Sequence, residues 1–175
     1  MDWRIFQRSY DVFAPKYDGV FEAQQLPKID ALVAALGELQ AGVAVDLGAG
    51  TGLLGRRTGW PLVEVDVSRE MLRTPPRPRC VRATLERLPF ADTSVTTLFS
   101  ITSLIDFEPE VPALGEWARV LIPGGHLLLS VLKRENLRAL EAALPARGFA
   151  IAQVLDLGLD CGYVARRVET RSART

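Results

Sequence analysis

Two rhythms of apolar and polar positions divide this chain. Beyond the first forty residues, short β-rich runs alternate with segments whose apolar positions recur every three or four residues. The first rhythm predicts strands at 43–47, 62–67, 80–83, 95–100, 125–132, 150–157 and 163–168. The second predicts helices at 24–37, 52–57, 111–120 and 135–147, the last stopped by Gly148. Strands separated by crossover helices pair in parallel, so the expected fold is α/β: a doubly wound seven-stranded sheet with helices on both faces. A short turn around residues 160–162 joins the last two strands, which makes the last strand antiparallel, as a hairpin requires. Thr58-Gly59-Trp60-Pro61 stops one helix early and Thr74-Pro75-Pro76-Arg77-Pro78 cuts off another, because proline lacks the N–H and clashes with the preceding turn.

The N-terminal rhythm is aromatic. Trp3, Phe6, Tyr10, Phe13, Tyr17 and Phe21 recur at steps of three or four, one stripe of a helix interrupted at Pro15. Such a stripe serves either core packing or a lid over a ligand. The expected organisation is a helical lid or cap over residues 1–40, a main domain over 41–168 and a disordered tail over 169–175.

Chemistry enters at residues 43–52, VAVDLGAGTG. An apolar strand ending in Asp46 runs into Gly48, Gly50 and Gly52, which let the backbone turn sharply and leave room for a ligand without Cβ atoms. Asp66 closes the next strand, where a carboxylate can receive both hydroxyls of a ribose. Together they read as a nucleoside-cofactor site. The third glycine comes one residue early for the dinucleotide fingerprint G-x-G-x-x-G, and Leu53 fills the reserved position, which counts against a nicotinamide-dependent oxidoreductase.

The arrangement D-x-G-x-G-x-G resembles motif I of the class I S-adenosylmethionine-dependent methyltransferases. VDVSREML at 65–72, ERLPFADTSV at 86–95 and EWARVLIPGGHLLLSV at 116–131 resemble that family's later segments in order. FAPKYD at 13–18 resembles the N-terminal element of its compact, small-molecule, type 11-like branch. The resemblance implies a Rossmann-like fold, S-adenosyl-L-methionine as cofactor and a small-molecule methyl acceptor. It places Gly48, Ala49, Gly50 and Gly52 against the methionine and ribose, and Asp46 toward the methionine amino group through the loop. Asp66 takes the ribose hydroxyls, Val67 the adenine face, Thr84 and Leu85 the adenine edge, and Ser100 completes the cofactor set. Tyr17, with Tyr10 as neighbour, reaches toward the cofactor and is a catalytic candidate beside Asp106.

Three departures from the family pattern stand out. Thr84 replaces an aspartate at the adenine edge. Ile105 and Asp106 stand where many relatives carry a histidine, so Asp106, backed by Glu108, is either a general base or a cap of the following helix. The shortened helices flank the adenosine half and imply a looser adenine pocket or simply a smaller domain. These departures keep open a degenerate, non-catalytic member acting as a binding or regulatory protein. His126 follows the PGG turn and is read as packing or surface.

Charge and cysteine content narrow the partners. Acidic and basic residues balance at 21 each, leaving no global field for nucleic acid or a membrane surface. Arg69, Arg73, Arg77, Arg79, Arg82 and Arg87 face only Glu70 and Glu86 in their stretch and read as a solvated face, an anion site being the alternative. Cys80 and Cys161 form no metal-ligand spacing and read as reduced thiols. With no signal-like N-terminus and no apolar run near ~18 residues, a soluble cytoplasmic protein is expected, a homodimer being left open.

Overall fold

Ala44–Leu47 (β1) is buried at every position, its carboxylate Asp46 included, as befits a strand covered on both faces at the centre of a sheet. The computed structural model describes residues 3–104, 113–134 and 136–169, with side chains from Gln7 onward. Ile105, Asp106, Glu108 and the tail from residue 170 lie outside the described residues, as do the side chains of Trp3 and Phe6.

Around β1 stand Val63–Asp66 (β2), Cys80–Arg82 (β3), Val95–Ile101 (β4), Leu121–Leu132 (β5), Phe149–Leu157 (β6) and Asp160–Arg167 (β7). Their order is β3-β2-β1-β4-β5-β7-β6. The first five are parallel, and β7 runs antiparallel to both neighbours, as expected of the last strand.

The helices are Trp3–Phe13 (α1), Tyr17–Leu36 (α2) after a single 3-10 turn at Ala14–Lys16, Leu53–Thr58 (α3), Arg69–Arg73 (α4), Ala113–Val120 (α5) and Leu137–Ala146 (α6). Alternation along the strands sends neighbouring side chains to opposite faces and so builds two cores. Phe99 and Leu128 meet Ile29, Leu32, Leu53 and Leu54 of α2 and α3. Leu98, Leu127 and Leu129 meet Leu114, Trp117, Leu140 and Leu144 of α5 and α6.

Three boundaries differ from the sequence reading. The second helix begins at Tyr17 rather than residue 24, because the aromatic stripe packs on itself: Tyr17 and Phe21 ring centroids lie 5.1 Å apart, Phe13 and Phe21 5.7 Å. β5 begins before the Pro-Gly-Gly turn, and its pairing with β4 shifts register between Val95 and Thr97 to accommodate the extra residues. The final hairpin turns at Gly158, where φ is +76°, and not at 160–162. Asp160 is fully buried in β7, held by Lys28 of α2, so a D-x-G run that reads locally as a turn is drawn into the sheet by a distant cation.

Candidate functional site

The chain builds β1, β2 and β3 to one side and then crosses to β4, so the strand order reverses between β1 and β4. Ligands of open α/β sheets bind in the crevice at the carboxyl ends of such strands. Here that crevice is floored by the loop from Gly48 to Gly52. Gly48, Gly50 and Gly52 have φ of +70°, +54° and +77°, values that disfavour any residue with a Cβ. The Gly48 and Ala49 N–H groups donate to the Val65 carbonyl at 2.8 and 3.0 Å, fastening the loop to β2. Gly48 also passes so close to Ser103 that a Cβ would lie 2.4 Å from the serine Cβ. Ser100 is fully buried behind it, hydrogen-bonded to the Ser103 hydroxyl.

Two acids line this floor. Asp66, half-buried at the end of β2, accepts from the Gly50 N–H at 2.9 Å on one oxygen and from the Ser68 N–H at 2.8 Å on the other. A carboxylate offers about four lone-pair sites, so each oxygen retains capacity for a further donor. Burial raises the Asp66 pKa above the usual carboxylate range. Asp46 is raised to about 8, first by burial and then by the Glu64 and Asp66 carboxylates, with Arg77 opposing.

Arg77 is the residue that sequence reasoning places wrongly. Its stretch reads as a solvated face, yet its side chain is only 10% exposed and lies under the glycine loop. It donates to the carbonyls of Gly50 and Thr51, both at 2.8 Å, and to the buried carboxylate of Glu64. Arginine between prolines is the one sequence signal for it: the turn that cuts off α4 folds back and delivers the guanidinium.

The N-terminal segment contacts the crevice. Asp11 of α1 accepts from the Ser68 hydroxyl at 2.6 Å, and Asp18 of α2 accepts from the Arg56 guanidinium at 2.6 Å and from the Thr51 hydroxyl. Both helices are thereby tied to the strand end and loop below them. Burial raises the Tyr10 and Tyr17 phenols, and the Asp66 charge adds to both shifts. In the stripe Tyr10, Tyr17 and Phe21 pack on one another, as the packing alternative expects, and wall a cavity of about 550 Å³.

Opposite these rings the cavity is lined by Thr102 after β4 and by Lys133 and Arg134 after β5, with Lys28 of α2 beside them. Thr102 has a left-handed φ of +54°, strained for a β-branched residue. It is over-determined by its bonds. Its N–H donates to the carbonyl and the hydroxyl of Ser130, both at 3.0 Å, and its hydroxyl donates to Asp160 at 2.7 Å. Lys28 reaches the other Asp160 oxygen at 2.7 Å.

The remaining expected residues sit at the rim. Val67 is half-buried, its carbonyl accepting from the Arg82 guanidinium at 3.0 Å. The Ala83 N–H donates to the Asp66 carbonyl at 3.2 Å, which brings the half-buried Thr84 and Leu85 to the same edge. His126 pairs across the sheet with Thr97 and Arg166, away from the carboxyl strand ends, and burial with Arg166 lowers its pKa.

Residues 45–129 match the model of the methyltransferase domain family. The chain is 34% identical over 186 residues to the malonyl-[acyl-carrier protein] O-methyltransferase of Halorhodospira halophila, covering 94% of this chain and 63% of that protein. It is 30% identical over 152 residues to the biotin biosynthesis bifunctional protein BioHC of Cellvibrio japonicus, covering 82% of this chain and 30% of that one. The chain therefore spans less than two thirds of either curated relative. Among solved structures, the complex of the Haloferax volcanii Trm112 methyltransferase activator with a methyltransferase matches at a TM-score of 0.79 and 17% identity, over 95% of this chain and 99% of that one. The reversal at β1 and β4, the left-handed glycine loop and these matches converge: residues 45–129 match a methyltransferase domain, and the chain is similar to the class I S-adenosylmethionine-dependent methyltransferases.

Proposed function

We propose that this protein transfers a methyl group from S-adenosylmethionine to a small-molecule acceptor in the cavity beneath Tyr10, Tyr17 and Phe21. The observation that carries this reading is the continuity of the two halves: the helices that wall the cavity with Tyr10 and Tyr17 are tied to the glycine loop through Asp18, which accepts from the Thr51 hydroxyl and the Arg56 guanidinium. The residues fit the cofactor. A Cβ on Gly50 would meet nothing within 4 Å, so the crest of the loop faces open space. Asp66 keeps acceptor sites for two ribose hydroxyls.

In this reading Gly48, Ala49, Gly50 and Gly52 hold the methionine and ribose portion, with Asp46 beneath them. Val67, Thr84 and Leu85 border the adenine, and Ser100 supports the loop from behind. When bound, S-adenosylmethionine supplies a methyl group made electrophilic by the sulfonium. The chain's own work is to align the acceptor, exclude water and receive one proton. Aromatic faces suit a sulfonium because they attract a cation without offering a nucleophile. Tyr17 is the ring placed for that task, and Asp106 is the group we assign to the acceptor's proton. Residues 1–40 act as the cap over the domain formed by 41–168. The two free thiols, Cys80 and Cys161, support a reducing, cytoplasmic setting.

Lys28, Lys133 and Arg134 line the cavity, and no carboxylate does so among the described residues. Lys28 and Lys133 are already paired with Asp160 and Asp156 at 2.7 Å each, so these cations would be shared between their partners and an acceptor bearing a carboxylate. The malonyl group in the name of the Halorhodospira relative is one, so a malonyl thioester is the first acceptor to try.

The test begins with thermal unfolding in the presence of S-adenosylmethionine, S-adenosylhomocysteine or NAD. A ligand at a hundred times its Kd stabilises by about 2.7 kcal/mol, or roughly 5–10 °C in a domain of this size. A shift with the two adenosyl ligands alone, followed by labelled methyl transfer to an acceptor, supports the proposal. No shift with any ligand points instead to the non-catalytic binding protein that the six- and five-residue helices α3 and α4 suggest.

A further inference from the structure

We propose that Arg77 is a positioning residue that sets the cofactor loop from below, doing for this chain what a longer helix after β2 would otherwise do. The inference rests on the reading of residues 48–52 as the S-adenosylmethionine loop.

The guanidinium presents five N–H donors in a rigid plane. One edge addresses the loop, through the Gly50 and Thr51 carbonyls at 2.8 Å each. Nη1, which serves Thr51, also addresses its own turn, through the Pro75 carbonyl at 2.9 Å and the Thr74 carbonyl at 3.3 Å. Nε donates to Glu64, a 6% exposed carboxylate in the middle of β2. One side chain therefore joins the loop, the strand and the proline turn.

The loop is shaped to receive it. A Cβ on Gly52 would fall within 2.8 Å of the Arg77 Nε, Cδ and Cζ atoms, so that glycine is needed for the arginine beneath the loop. In a trans peptide the C=O and N–H point to opposite sides. Holding the Gly50 carbonyl down on Arg77 therefore turns the Thr51 N–H up, toward the open side of the loop where the ligand lies.

The arrangement also answers the expectation raised by the shortened helix. α4 ends after five residues, and the Pro75-Pro76-Arg77-Pro78 turn leads back under the loop instead of away from it. The trimmed segment buttresses the cofactor site. Lysine cannot substitute, because a single ammonium on a flexible stem does not span two loop carbonyls and a carboxylate in one plane.

The experiment is calorimetric titration of S-adenosylhomocysteine into wild type, Arg77→Lys, Arg77→Gln and Glu64→Gln, each checked for folding by its melting curve. Arg77→Lys keeps a charge for Glu64 but loses the fork, and is expected to weaken binding at least fivefold. Glu64→Gln keeps the fork and is expected to stay within that limit. Arg77→Gln supplies a readout that a purely structural role leaves unmoved. The groups around Asp46 are Glu64 and Asp66 of β2, Arg77, and the Tyr17 phenol of α2. Losing the cation shifts the midpoint of the binding-versus-pH profile upward.

Wild-type binding with a folded Arg77→Lys that binds within fivefold of it overturns the proposal. If Arg77→Lys does not fold, binding by a folded Arg77→Gln decides: affinity within fivefold of wild type overturns the proposal, and weaker binding, from loss of the fork on the Gly50 and Thr51 carbonyls, supports it. No binding by wild type overturns the cofactor reading itself, and the Arg77 assignment falls with it.

Discussion

Replacing Lys28 with methionine tests how the N-terminal helices are held over the site. Lys28 is 3% exposed, and its ammonium lies 2.7 Å from the Oδ1 of Asp160, a residue with no exposed surface. Among the described residues, that oxygen has no hydrogen bond to relieve it if the ion pair is lost. Among the described residues the other oxygen keeps the Thr102 hydroxyl at 2.7 Å. Methionine fills a similar volume, so the perturbation is electrical. Breaking one side of a buried pair leaves an uncompensated charge and costs about 3–5 kcal/mol. For a domain of this length, that lowers the Tm by roughly 6–20 °C. The assay is urea unfolding at pH 7 on wild type, Lys28→Met, Asp160→Asn and the double variant. Because the introduced asparagine would still accept from Thr102 without carrying a charge, the double variant is expected to recover more than half of the loss, a coupling characteristic of neighbours. A loss under about 1 kcal/mol in Lys28→Met would refute the reasoning and mean that the hold on α2 does not depend on this ion pair.

The buried acids predict a pH dependence of stability. Asp46 holds its proton in the folded state up to about pH 8, whereas an unfolded aspartate loses it near pH 3.9. The unfolded state binds fewer protons in that window, so Asp46's contribution to stability is full below about pH 4 and is lost as pH rises toward 8. Urea midpoints at pH 5, 7 and 8.5 should fall in wild type and change much less in Asp46→Asn; equal slopes would contradict the account. Gly48→Ala and Gly50→Ala should separate folding from binding. The first drives a Cβ into Ser103 and lowers Tm, while the second costs about 1–2 kcal/mol of backbone strain but blocks the open side of the loop, abolishing S-adenosylhomocysteine binding. Thr84→Asp should tighten cofactor binding by about 1 kcal/mol, read by titration, because a charged acceptor holds the adenine amino group better than a hydroxyl. Weaker binding by that variant would count against Thr84 at the adenine edge.

The sequence alone determined what depends on neighbours in the chain. The Asp46-to-Gly52 loop is legible because positive φ is a property of single residues, and the strands are legible because runs of buried apolar residues reveal themselves. The antiparallel last strand followed from loop length. Tertiary structure decided the partners of charged groups. Arg77 looks like one of six solvated arginines until the proline turn folds it onto Glu64 and the loop carbonyls. Asp160 looks like a turn residue until Lys28, far away in sequence, neutralises it inside the sheet. Thr102 carries no local sign of its left-handed backbone, which Ser130 and Asp160 impose from two other strands. Backbone preference is set within a few residues, so composition and spacing report it. Burial of a charge is tolerated only where a distant partner arrives to meet it, and only the folded chain determines that meeting.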